Sequence, residues 1–158
     1  MLSPCRAAAL RFLKIRPRSI RELEVKLKDK GFAASEITEA VEYCRQSRLL
    51  DDRAFTVAWV QYRLARPFGF MRILRELKEK GVEESIIAEA LARAKEEFSQ
   101  QEAACALARR RAQVLSGIDP VKRKKRVLDF LVRRGFPTEI AYKAINYVDT
   151  HRNLNYDH

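Results

Sequence analysis

Glycine and proline are scarce, at five each among 158 residues, which leaves little material for long structureless linkers. Histidine is scarcer: His151 and His158 are the only two, both in a polar C-terminal stretch. No Ser/His or Cys/His arrangement can be assembled around them, so nucleophilic catalysis has no evident base. The three cysteines, Cys5, Cys44 and Cys105, are far apart and show no metal-ligand spacing. An odd, scattered set argues against a disulfide framework and points to a reducing, cytoplasmic setting. Arg6 and Arg11 interrupt the apolar N-terminal stretch, so no signal peptide is expected. No apolar run nears the roughly 18 residues that suggest a membrane span. The alternation of a half-buried strand is also missing over any useful length.

What the chain has in excess is positive charge. Lysine and arginine number 32 against 21 acids, a net charge of +11, which favours a polyanionic or acidic partner. The excess is uneven. Residues 1–50 carry 11 basic and 6 acidic side chains, residues 51–100 carry 9 of each, and residues 101–158 carry 12 and 6. The middle is neutral and both ends are basic.

Three amphipathic stretches each end in a glycine. Gly31, Gly81 and Gly135 are spaced by 50 and 54 residues, a period typical of a supersecondary unit repeated in tandem. In the first copy Ser3-Pro4 opens a helix that Pro17 stops. Ser19 and Glu22 form a capping box for a second helix, with Ile20, Leu23 and Leu27 on one face. Gly31 supplies its left-handed terminator, and a third helix follows with Ile37, Ala40, Val41 and Cys44 inward. The second copy repeats this grammar: Arg66-Pro67 for Arg16-Pro17, then Phe70, Ile73 and Leu77, then Ile87, Ala90 and Leu91. The third is looser. Asp119-Pro120 starts its middle helix and Lys124 takes the place of Ile20 and Phe70, while Val127, Leu131, Ala144 and Ile145 keep the pattern. The spacing predicts an all-α chain of nine helices in three tandem three-helix, helix-turn-helix-like repeats. The repeats are expected over 1–50, 51–98 and 99–150, with a frayed tail over 151–158.

Few residues invite a chemical reading. Cys44 and Cys105 lie on apolar faces and read as small core residues, whereas Cys5 is expected at the surface. Asp51-Asp52 and Glu83-Glu84 read as helix caps and first-turn acids rather than metal ligands. The isolated glycines form no phosphate cradle, and neither a metal ion nor a cofactor is expected. Phe55, Trp59 and Tyr62 share a helical face, so the first two are read as core and Tyr62 as reaching the surface. The basic clusters differ in kind: Arg109, Arg110 and Arg111; Lys122, Arg123, Lys124, Lys125 and Arg126; Arg133 and Arg134. A weaker set, Arg16, Arg18 and Arg21, surrounds Pro17. All are candidates for an anion-facing surface.

The run Leu49-Leu50-Asp51-Asp52-Arg53-Ala54-Phe55, then Trp59-Val60, Arg63, Gly69, Ile73, Glu76-Leu77 and Lys80-Gly81, resembles the central signature of RecX regulatory proteins. Arg16-Pro17-Arg18-Ser19 with Glu22, Leu23 and Leu27 is similar to that family's first unit. Thr56 departs from the family's usual alanine, and Phe70 from the proline that usually follows Gly69. The resemblance implies an all-helical, elongated and curved molecule. It implies a monomer that binds the RecA protein or the RecA–DNA filament and inhibits ATPase, strand exchange and coprotease activity without catalysing a reaction. Direct contact with DNA is a further possibility under the same resemblance. Within it Leu50, Asp51, Asp52, Phe55, Trp59, Arg63, Gly69, Ile73, Glu76, Leu77 and Gly81 are structural. The alternative is a helix-turn-helix nucleic-acid-binding regulator. The third helices begin Ser35-Glu36, Glu83-Glu84 and Thr138-Glu139, placing acids where phosphates would lie, which counts against it.

Overall fold

The computed structural model describes residues 1–66 and 68–154. Pro67, expected to end a helix as Pro17 does, and residues 155–158 of the expected tail lie outside the described residues. Among the described residues there are nine α-helices and no strand. Helices α1 (Pro4–Ile15), α2 (Ile20–Asp29) and α3 (Ala34–Gln46) form the first repeat. The second comprises α4 (Asp52–Leu64), α5 (Phe70–Glu79) and α6 (Glu84–Glu97), and the third α7 (Gln100–Val114), α8 (Pro120–Arg133) and α9 (Thr138–Leu154).

Local chemistry accounts for the boundaries. The Ser3 hydroxyl accepts the Arg6 N–H at the start of α1, with Pro4 in its first turn. Arg16, before Pro17, is fully extended, and α1 stops there. Ser19 and Glu22 cap α2 reciprocally, at 3.1 Å in both directions. The Asp51 carboxylate accepts the Arg53 and Ala54 N–H groups at 2.8 and 3.3 Å, so it caps α4. Ser99 caps α7 and separates it from α6; Asp119 caps α8. Alanine stands at the N-cap of α3, and there Glu36 alone reaches back to the Ala33 N–H at 2.8 Å.

The three repeat glycines end α2, α5 and α8 identically. Each has positive φ, and each turn makes the paired bonds of a Schellman motif. These run from Gly31 to Lys28 and Phe32 to Leu27, from Gly81 to Lys78 and Val82 to Leu77, and from Gly135 to Val132 and Phe136 to Leu131. The same turn ends α3, but Arg48 occupies the left-handed position at φ 57°. That conformation costs a residue with a Cβ about 1 kcal/mol.

The chain divides into two compact units. Unit 1 is Met1–Val60 with Glu76–Ala90; unit 2 is Gln61–Arg75 with the chain from Leu91 onward. The second repeat therefore contributes to both. The core of unit 1 gathers Cys5, Ala8 and Ala9 of α1, Leu23 and Leu27 of α2, Ile37, Ala40, Val41 and Cys44 of α3, and Leu50. Cys5 corrects the sequence reading: it is 1% exposed, not superficial. Pro4 starts the helix at once, which puts Cys5 on the same inward stripe as Ala8 and Ala9. Burial pushes the Cys5 and Cys44 thiols up, as suits inert core residues. The core of unit 2 is Ala104, Leu107 and Ala108 of α7, Val127 and Leu131 of α8, and Ala141, Ala144, Ile145 and Val148 of α9, with Leu115 and Phe136; Cys105 packs beside it. Helix α9 continues through His151, whose ring lies 3.9 Å from that of Tyr147.

Candidate basic interface

In unit 2 the helix period sorts the dense basic run of α8 onto separate faces. Val127 and Leu131 face the core. Lys122, Lys125, Arg126 and Arg133, at i, i+3, i+4 and i+11, are exposed. Asp129 is the single acid among them, and none of the four basic groups is paired in an ion pair among the described residues. The other two members of the run are engaged. Arg123 reaches the Ser116 carbonyl at 3.5 Å. Lys124 donates to Asn146 at 3.1 Å and lies 3.9 Å from Asp149 on α9. Arg109 and Arg110 are exposed near the end of α7, whereas Arg111 turns onto a ring.

That ring belongs to an arginine–phenylalanine stack. The Arg111 and Arg134 guanidinium carbons each stand 5.1 Å from the centroid of Phe130. Arg134 also lies 5.3 Å from Phe68, which carries Arg63 at 5.1 Å and Arg72 at 4.1 Å. Two half-buried rings thus hold four guanidinium groups, each within cation–π range. Beside them Tyr62 is exposed, as expected, with Arg66 at 4.3 Å. The stack escaped the sequence reading, although Phe130 and Phe68 lie next to residues that reading singled out.

The stack sits at a helix junction. The Gly69 N–H donates to the Arg134 carbonyl at 2.8 Å, and the Met71 N–H to the Gly135 carbonyl at 3.1 Å. The N-terminus of α5 thereby satisfies the open C-terminus of α8. Gly69 is buried there, and a Cβ on it would overlap the Gly135 carbonyl.

Unit 1 contains the matching junction. The Ser19 hydroxyl donates to the Lys80 carbonyl at 2.6 Å, so the cap of α2 meets the C-terminus of α5. Around it Glu22 accepts from Arg16 at 3.0 Å, from Lys80 at 2.8 Å and from the Ser19 N–H at 3.1 Å. Burial raises the Glu22 pKa, but hydrogen bonds from Arg16, Lys80 and Ser19 outweigh it and hold the carboxyl at about 2. Asp52 caps across the unit rather than along its own helix, accepting the Ile20 N–H at 2.9 Å. Burial raises its pKa, and the Ile20 bond opposes that shift. Lys80 completes the cluster 4.3 Å above the Trp59 ring, whose Nε1–H donates to Glu76 at 3.1 Å.

Leu50, Phe55, Ile73 and Leu77 are buried. A Cβ on Gly81 would overlap the Arg21 side chain, which lies across that turn. Of the weaker basic set, Arg16 and Arg21 are exposed; Arg18, expected on the surface with them, is 8% exposed. No group of three or more His, Cys, Asp or Glu residues among the described ones could hold a metal ion.

Comparison with known proteins follows the same three repeats. Family models described as the first, second and third three-helix domains of RecX match residues 5–44, 51–91 and 99–145. This chain belongs to the RecX family. The regulatory protein RecX of Bacillus licheniformis is 35% identical over 143 residues, covering 89% of this chain and 54% of that protein. The chain therefore spans about half the length of that relative. RecX of Pasteurella multocida is 30% identical over 140 residues, covering 88% of this chain and 84% of that one. The crystal structure of RecX from Lactobacillus salivarius shares the fold, with a TM-score of 0.80 and 23% identity over 92% of this chain and 95% of that one. The relatives are named as regulatory proteins. No helix among the described residues is long and apolar enough to cross a membrane.

Proposed function

We propose that this RecX-family chain binds the RecA recombinase on its nucleoprotein filament. Binding restrains DNA-dependent ATPase, strand exchange and coprotease activity, and so modulates DNA repair and the SOS response. The reading assigns the chain no reaction of its own, and describes a cytoplasmic monomer with repeats over 1–50, 51–98 and 99–150. The observation that carries it is the exposed α8 stripe of Lys122, Lys125, Arg126 and Arg133, with Asp129 as the one acid of that helix. Such a surface suits a filament that presents acidic protein and DNA phosphate together, and its contribution should fall with salt.

The acids opening the third helices weigh against insertion of those helices into a DNA groove. Glu36 caps Ala33, Glu84 pairs with Lys78 at 2.7 Å, and Glu139 pairs with Lys143 at 2.8 Å. The test is an ATPase titration of purified RecA on single-stranded DNA. Inhibition well below one chain per RecA indicates capping of filament growth, and a stoichiometric requirement indicates coating along the groove. An unchanged ATPase rate would contradict the proposal.

A further inference from the structure

Unit 1 carries a cleft of about 210 Å³ beside the Ser19–Lys80 junction. Arg16, Arg18, Arg21, Lys26 and Lys80 line it, with Glu22 and Glu79 as its carboxylates. Glu22 has little left to offer, because Arg16, Lys80 and the Ser19 N–H already occupy its two oxygens.

Arg18 is the unusual member. More than nine-tenths of it is buried, yet its one hydrogen bond among the described residues runs from Nε–H to the Phe12 carbonyl, at 3.3 Å. The guanidinium carbon stands 5.5 Å from the Phe12 ring centroid, within cation–π range. Both terminal nitrogens are left without a hydrogen-bond or ion-pair partner among the described residues. Burial first, and then the neighbouring Arg16, lower the Arg18 pKa, and Glu22 offsets this only in part. Both terminal nitrogens reach the water of the cleft, and an arriving carboxylate would replace that water with charge-assisted hydrogen bonds.

We propose that this cleft is a socket for one aspartate or glutamate side chain presented by a protein partner, with Arg18 as the anchoring fork. The planar guanidinium matches a carboxylate in two parallel hydrogen bonds. The volume suits one carboxylate and its short stem, and Val25, 48% exposed on the wall, offers that stem an apolar contact. A phosphodiester strand fits less well, since Glu79 interrupts the positive lining that a continuous polyanion would follow. The inference needs a protein partner but does not depend on that partner being RecA.

The test uses the whole chain, labelled with nitrogen-15, observed at the Arg18 Nε–H and Trp59 Nε1–H resonances. Trp59 is the only tryptophan and lies under Lys80, so it reports on the same wall. The probe is acetyl-Ala-Asp-Ala-amide at constant ionic strength; acetyl-Ala-Asn-Ala-amide is the neutral control and methyl phosphate the phosphate arm. The expected result is a saturable shift at Arg18 with the aspartate peptide, none with the asparagine peptide, and weaker binding of methyl phosphate. Arg18→Lys keeps the charge but loses the fork, and should weaken the aspartate response about tenfold. Should that variant not fold, Lys26→Gln at the exposed wall should weaken it about twofold. Absence of a saturable shift at Arg18, or an equal response to the asparagine peptide, overturns the socket. Tighter binding of methyl phosphate overturns the carboxylate assignment. No recombinase is present, so failure here is distinct from failure of the RecA reading.

Discussion

The two helix junctions solve one problem with different chemistry. In unit 1 the α2 terminus meets the end of α5 through a side chain, the Ser19 hydroxyl on the Lys80 carbonyl. In unit 2 the α5 terminus meets the end of α8 through backbone alone, Gly69 on Arg134 and Met71 on Gly135. Gly69 stands fifty residues after Ser19, and Arg134 fifty-four after Lys80, so the partners are equivalent within the repeat. An arginine crosses the terminating glycine in both, Arg21 over Gly81 and Arg72 over Gly135. Where unit 1 places Glu22 and Asp52 among its cations, unit 2 places the Phe68 and Phe130 rings. Ion pairing neutralises charge, whereas stacking on rings positions charge and leaves it positive.

The comparison breaks most severely at Gly69. Gly69→Ala drives a methyl into the Gly135 carbonyl and disrupts both junction bonds, so a loss of about 3 kcal/mol is expected in urea denaturation. A loss below about 1 kcal/mol would mean that the backbone junction contributes little. The polar junction should instead respond to pH. The Glu22 carboxyl is held at about 2, below the roughly 4.3 of free glutamate. A depressed folded value means that the stabilisation is full above the unfolded value and is lost as pH falls through the folded one. Denaturation between pH 6 and pH 2 should lose about 2 kcal/mol that Glu22→Gln lacks throughout. Parallel pH profiles for the two proteins would exclude that role.

Smaller effects sharpen the contrast. Ser19→Ala removes both the cap and the bond to Lys80, and should cost about 1.5 kcal/mol by thermal or chemical denaturation. Arg48→Gly touches neither junction and relieves the left-handed turn after α3, so it should raise stability by about 1 kcal/mol. Destabilisation by that substitution would show that the Arg48 side chain matters more than its backbone.

How much of this was legible depends on range. Ser3, Ser19, Asp51 and Asp119 act within three residues of themselves, and a local signal of that kind survives in sequence. The Gly31, Gly81 and Gly135 turns were readable for the same reason, because positive φ selects glycine locally. The Asp52 bond to Ile20 was not: its partners are 32 residues apart, and an acid beside a cap looks like a second cap. Arg18 read as one more charge in a basic stretch, since nothing near it in the chain reveals that Phe12 and its carbonyl receive the guanidinium. Cys5 was misplaced because nearness to a terminus outweighed its i, i+3, i+4 relation to Ala8 and Ala9. The α8 run was visible as density, but only the fold separates exposed Lys122, Lys125 and Arg126 from engaged Arg123 and Lys124.

The proposed function rests on that exposed stripe, and one measurement addresses it directly. In the RecA DNA-dependent ATPase assay at modest salt, the concentration for half-inhibition should be compared between the wild-type chain and Lys122→Glu/Lys125→Glu/Arg126→Glu. Circular dichroism and thermal melting serve to establish that the variant stays folded. An increase of about tenfold or more is the predicted outcome, as expected when several rim charges are reversed together. Equal inhibition by a folded variant would contradict the account and move the interface away from α8.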